Sequence, residues 1–408
     1  MLSYNHGRLG NAPFDQSEKT AMLRFLTAGE SHGPALSAIV EGLPAGLPLA
    51  QEDVDAQLRR RQKGYGSGGR MQIERDRARF MGGVLNGHTT GAPVAMQIEN
   101  QDWANWRERE IEPLTIPRPG HADLAGALKY GYRELRLALE RASARETAAR
   151  VAVGALCRRL LAEFAIRVGS YVVQIGPVSA TLPDDLAYPE RFERAEENDV
   201  RCPDPGATQA MRACIREATA DRDTLGGVFE VVALGLPPGL GSHVHWERRL
   251  DARLMGAVGS IPAVKGVEVG PAFENATRRG TQVHDEIFVQ DGQLVRPTNR
   301  AGGLEGGITT GQALVVRAAM KPISTTLTPL CSVDLATGEP ARTRYERSDI
   351  CAVPRAAVVG EAMAAFVLAD ALLEKLGGDS LAEMRPRFAA LRRGRLDEWE
   401  MDNAPWRF

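Results

Sequence analysis

The sequence predicts an α+β protein with an internally duplicated architecture, on two observations. Strand-like and helix-like patterns mix along the whole chain. Thr89-Thr90-Gly91 also recurs 220 residues later as Thr309-Thr310-Gly311, each time just ahead of an apolar strand-like run.

In chain order, residues 23–28 and 35–41 read as short strands, turned between by Gly29, Gly33 and Pro34. Residues 51–62 read as a helix ending in Arg59, Arg60 and Arg61, followed by the glycine-rich stretch 64–70. Basic residues in a last helical turn suit the helix dipole. Ser143 followed by Glu146 is a capping-box pattern, opening a helix to about Phe164 whose N-terminus could hold an anion. Strands are expected at 168–175, 227–234 and 314–319, and helices near 208–220 and 246–258. The segment 177–206, rich in Pro, Asp, Glu and Arg, reads as a surface loop or insertion. Residues 356–373 are about as long as a membrane span. They are Ala-rich and carry Glu361 and Asp370, which favours a buried helix.

Composition narrows the function classes. With 408 residues, 43% hydrophobic and 25% charged, the chain can bury a sizeable core, which excludes a disordered or disulfide-stapled protein. A net charge of −2 supplies no global field for nucleic acid or an anionic membrane, so neither is an expected partner. Only six of the 50 basic residues are Lys, so any single Arg is weak evidence for anion binding. Five widely spaced cysteines form no C-x-x-C pair, which suits a reducing cytoplasm. Residues 1–21 lack the apolar run of a signal peptide and read as a flexible arm ahead of a single catalytic domain spanning 22–408. Gly64, Gly66 and Gly69 satisfy G-x-G-x-x-G but follow a helix instead of a strand, and no G-K-[ST] occurs, which disfavours a dinucleotide fold or P-loop. His243, His245 and Glu247 offer too few ligands for a metal site, and none is expected.

The chemistry-bearing segments are loops. Gly29-Glu30-Ser31-His32-Gly33-Pro34 and Arg118-Pro119-Gly120-His121-Ala122-Asp123 each hold a His in a tight Gly/Pro turn, where it can face a cleft and titrate near neutrality. They occur with Ser143-Ala144-Arg145-Glu146-Thr147, the run Gly302-Gly303-Leu304-Glu305-Gly306-Gly307, Met320-Lys321-Pro322-Ile323 and Arg347-Ser348-Asp349-Ile350-Cys351.

That ordered set resembles the chorismate synthase family, from about Met22 to the helix near Leu376. The resemblance implies a β-α-β sandwich with core helices between antiparallel sheets, a homotetramer, and reduced FMN as cofactor, with NADPH or an external flavin reductase as the source of reduction. The implied reaction is an anti-1,4-elimination of phosphate from 5-enolpyruvylshikimate 3-phosphate, giving chorismate. It implies catalytic roles for His32 as acid to the departing phosphate, His121 as acid to the reduced flavin, and Asp349 as the group that tunes flavin N5. Ser31, Arg61, Arg70, Arg118, Ser143, Arg145 and Arg347 match substrate-binding positions. Gly302, Gly303, Gly306, Gly307, Met320, Lys321, Thr325 and Ser348 match flavin-binding positions. An anionic small-molecule substrate with one phosphate and two carboxylates would call for several fixed guanidinium forks. Ser67 stands where the family often has Arg, which puts one such contact in doubt. A flavin-dependent oxidoreductase is the rival enzyme class, and the paired His motifs argue against it.

Overall fold

The computed structural model describes residues 23–66, 75–344, 349–402 and 404–407. Its first half builds strands β1 (Arg24–Ala28) and β2 (Ala35–Glu41), helix α1 (Gln51–Gln62), strands β3 (Ala78–Gly82) and β4 (Val94–Glu99), and helix α2 (Thr147–Ala162). The second half repeats the order with β5 (Arg167–Ile175), β6 (Gly227–Leu234), α3 (Leu250–Gly259), β7 (Val264–Val269), β8 (Leu314–Met320) and α4 (Val353–Leu376). The two sheets have matching strand orders, β1-β2-β4-β3 and β5-β6-β8-β7, the second extended at its β5 edge by Val178–Ser179. All of these neighbours are antiparallel. The β3–β4 and β7–β8 pairings each carry one irregularity, at opposite ends of the matching strands: between Phe80 and Gly82 near the end of β3, and between Val264 and Gly266 at the start of β7.

The Thr-Thr-Gly repeat is a structural repeat. Each copy closes a small hairpin, Val84–Leu85 with His88–Thr89 and Leu304–Glu305 with Ile308–Thr309. Thr89 Oγ1 donates to Pro44 O at 2.5 Å and accepts from Leu47 N at 3.0 Å. Thr309 Oγ1 does the same with Pro237 O at 2.7 Å and Leu240 N at 2.8 Å. The predicted duplication therefore extends through the strands, helices and turns of both halves.

The four helices fill the space between the sheets, and one apolar core unites both halves. Gly154 allows the closest approach: a Cβ there would stand 2.3 Å from Ala362 Cβ, so α2 and α4 touch backbone to backbone. Helix α4 is long and apolar enough to cross a membrane, but 94% of its apolar window is buried inside the protein, in accord with a core helix. Its acidic residues are paired. Glu361 accepts from Arg60 of α1 at 2.7 and 2.8 Å, from Ser170 of β5 at 2.6 Å, and from Arg158 and Arg201. Burial alone would raise this carboxyl, but the surrounding guanidinium groups, Arg60 first, hold it down to about 2. Its contribution is thus complete above the ordinary value of 4.5 and is lost as pH falls through about 2. Glu361→Gln should cost about 3–5 kcal/mol near neutrality by leaving buried guanidinium groups poorly paired. The gap to wild type should narrow as pH drops from 4.5 towards 2; chemical denaturation across that range measures it.

Three sequence expectations need correction. Segment 177–206 is not a loop, because Tyr188–Glu196 is a helix whose Phe192 and Ala195 bury against the outer face of the second sheet. Gly169 leaves room for the Phe192 ring there. Residues 246–248 form a 3-10 turn, and the helix starts only at Leu250. The capping box also gives way: Ser143 caps a 3-10 turn, Ala144–Glu146, which leads into α2. Residues 1–22, with the expected N-terminal arm, lie outside the described residues.

Candidate active site

A cavity of about 1030 Å³ opens where the two halves meet. The β1–β2 loop brings Ser31 and His32, and the segment after β4 brings Asp102 and Trp106. The end of β8 brings Met320, Lys321 and Thr325. Ser143 to Arg145 precede α2, while Asp349, Ala352 and Arg355 lie at the head of α4. Ser143 and Asp349 occupy matching places, each eleven residues ahead of a helical glycine, Gly154 or Gly360. The duplicated frame thus puts a hydroxyl and a carboxylate at equivalent helix entrances.

Of the sequence-derived candidates, Ser31, His32, Arg61, Arg118, His121, Ser143, Arg145, Met320, Lys321, Thr325 and Asp349 all line this one cavity. Gly302, Gly303, Gly306 and Gly307 do not. They sit at φ between +59° and +86° and form the second copy of the repeated hairpin, which gives them a backbone role. Arg70, Arg347, Ser348 and Ser67 lie outside the described residues.

Two histidine clusters face the cavity. His32 Nδ1 is 2.7 Å from Glu140 Oε1, its backbone N donates to Glu140 Oε2 at 2.8 Å, and its ring lies 3.8 Å from that of Trp106. Burial would raise the Glu140 carboxyl, but the hydrogen bonds from His32 hold it below the ordinary value. Ser143 Oγ donates to Ser31 Oγ at 3.0 Å, tying this loop to the entrance of α2. In the second cluster, His121 Nδ1 is 2.5 Å from Asp123 Oδ1, and Arg118 grips the same carboxylate through Nε at 2.8 Å and Nη2 at 3.0 Å. Asp123 is fully buried, yet His121 and Arg118 keep it well below the usual carboxylate range. Arg118 Nη1 donates to Thr325 Oγ1 at 3.0 Å, and Lys321 Nζ donates to Gly120 O at 3.1 Å. Those two bonds couple the end of β8 to the His121 loop.

The arginines divide by what they hold. Arg118 is engaged by Asp123 and Thr325, so its guanidinium organises the loop. Arg61 donates to Thr147 Oγ1 at 3.0 Å and Ala144 O at 2.9 Å, and Arg145 Nη1 meets both Asp76 oxygens at 2.6 Å. Arg355 holds Asp349 at 2.6 Å. Sequence reasoning missed Arg109, Arg136, Arg141 and Arg150, which also line the cavity, because in an Arg-rich chain no motif sets them apart. It likewise missed Glu140, Trp106, Arg355, Pro262 and Ala263. Among the described residues, no group of three or more His, Cys, Asp or Glu side chains could hold a metal ion.

A flavin fits this lining. Drug-sized pockets run to about 1,000 Å³, so the volume has room for a cofactor beside a small substrate. Met320, Ile323, Pro262 and Ala263 supply an apolar wall, and Lys321 adds a cation whose proton affinity burial lowers.

Paired acids, clustered guanidinium groups and a walled cavity between two half-domains are the features of an enzyme acting on a small charged molecule. Comparison with known proteins makes the class specific. A family profile described as chorismate synthase matches residues 23–373. Chorismate synthase of Aquifex aeolicus is 54% identical over 383 residues, covering 90% of this chain and 96% of that protein. The enzyme of Trichlorobacter lovleyi is 56% identical over 380 residues, covering 89% and 97%. A crystal structure of chorismate synthase matches with a TM-score of 0.75 at 47% identity, covering 90% of this chain and 96% of that one. The chain belongs to the chorismate synthase family, whose members are lyases.

Proposed function

We propose that this chain converts 5-enolpyruvylshikimate 3-phosphate to chorismate and phosphate in the shikimate pathway, with reduced FMN bound. The observation that carries the reading is the meeting of His32, His121 and Asp349 in one cavity, in a chain of this family. His32 protonates the departing phosphate, and Ser31, Ser143, Arg61 and Arg145 orient the anionic substrate beside it. His121 holds a second proton at the opposite loop, and Asp349, fixed by Arg355, presents a proton-accepting oxygen. Excluding water strengthens each of these contacts. Met320, Lys321, Thr325, Pro262 and Ala263 would hold the flavin, which when bound supplies the electron donor and basic nitrogen that side chains lack.

The reading extends to a homotetramer in the cytoplasm, with NADPH or an external flavin reductase supplying reduction. Exposed Leu26 and Ile39, a cross-strand pair on the outer face of the first sheet, support an association surface. Phosphate and chorismate release, followed anaerobically with and without reduced FMN, tests the function. Turnover without reduced flavin, or phosphate release without chorismate, overturns it.

A further inference from the structure

We infer that Glu140 and Asp123 are positioning residues, one for each histidine, which fix Nδ1 of the ring as the protonated donor and reserve Nε2 for proton exchange with bound ligands. The inference rests on the assignment of His32 and His121 as acids but goes past it, because it names the groups that set which nitrogen acts.

The geometry is the same in both clusters, although the partners come from different places. Glu140 lies 108 residues from His32, and its two oxygens are divided between the ring and the backbone of one residue. That double hold leaves the imidazole little freedom to turn, and Trp106 closes one face of the ring. Asp123 lies two residues from His121 and is itself locked by the Arg118 fork. An ionised carboxylate can only accept, so each contact requires a proton on Nδ1. At His121, Arg118 Nη2 also approaches Nδ1, at 3.0 Å. A guanidinium can only donate, so the shorter carboxylate contact decides the tautomer.

The surroundings show why charge is needed as well as orientation. His32 shares the cavity with Arg136 and Arg141 of its neighbouring helix, Arg109 and Asp102 of the segment after β4, and Arg145 at the entrance of α2. His121 faces Arg118 of its own loop and Lys321 from β8. The carboxylate in contact with Nδ1 is the countercharge beside each ring among these cations. The Nε2 proton then passes to a ligand oxygen or nitrogen while the Nδ1 proton stays on the ring.

Selective 15N labelling of histidine reads the tautomer directly. In the wild-type protein, neutral His32 and His121 should both carry the proton on Nδ1, with resonances assigned from His32→Gln and His121→Gln. Finding Nε2–H at either ring overturns the inference for that ring, whatever any variant does. Glu140→Gln and Asp123→Asn should free the tautomer and lower kcat by roughly 10²- to 10⁴-fold. KM and FMN affinity should stay within about twofold. The kcat–pH profile should also change in each variant, because the charge beside the ring is gone, a change that a purely structural role would not produce. Glu140→Asp, which keeps the charge, should recover part of kcat. Unchanged kcat and unchanged pH profile in folded Glu140→Gln overturn the role. If wild type forms no chorismate at all, the proposed function fails while the tautomer measurement still stands.

Discussion

His32→Ala and His121→Ala fold like wild type and lose about 10²- to 10⁴-fold of turnover each, with FMN saturating. The range corresponds to about 3–5 kcal/mol of barrier, at 1.36 kcal/mol per decade. Folding should survive because neither ring belongs to the core: both side chains are 18% exposed. After His32→Ala, Glu140 still accepts from the backbone N of residue 32; after His121→Ala, Asp123 still holds Arg118. The phosphate release rate, with circular dichroism as the folding control, measures the effect. Wild-type rates in both variants would remove the histidines from the chemistry. A loss confined to KM would make them binding residues.

Asp349→Asn keeps the volume of the side chain and removes its charge and its ability to accept a proton. The expected result is near-normal binding of substrate and FMN with markedly slower phosphate release, again on the order of 10²-fold or more. Asp349 meets Arg355 at 2.6 Å, so the asparagine loses a charge-assisted contact worth about 1.5–3 kcal/mol, part of which returns through its remaining oxygen. Stopped-flow phosphate release and flavin titration separate the two effects. Loss of flavin binding with unaltered chemistry in the residual holoenzyme would make Asp349 a cofactor anchor.

The regular elements were legible because their signals are local. Helix α1 falls at residues 51–62 as its basic last turn and the glycine-rich stretch after it indicate, and β2 and β6 fall where apolar runs meet turn residues. The Thr-Thr-Gly repeat disclosed the duplication, although the shared strand order could not be read from it. The helix at Tyr188–Glu196 was hidden because its buried face consists of little more than Phe192 and Ala195 amid charged residues. At the site, loop glycines pointed to both histidines. Glu140 was hidden by distance in sequence from His32, whereas Asp123 stood two residues from His121 inside a segment already singled out. The glycine run 302–307 is a residue type suited both to ligand approach and to turns, and its positive φ values establish the turn.

The matched hairpins give the molecule an internal control. Gly83 and Gly303 stand at φ of +84° and +86°, and a Cβ at either would lie 2.5 Å from a carbonyl oxygen, of Pro93 in one half and Ala313 in the other. Alanine at the two positions therefore strains the backbone alike. Subtracting one variant from the other cancels the folding penalty, and what remains of any flavin-affinity loss at residue 303 is the part that loop contributes to the ligand.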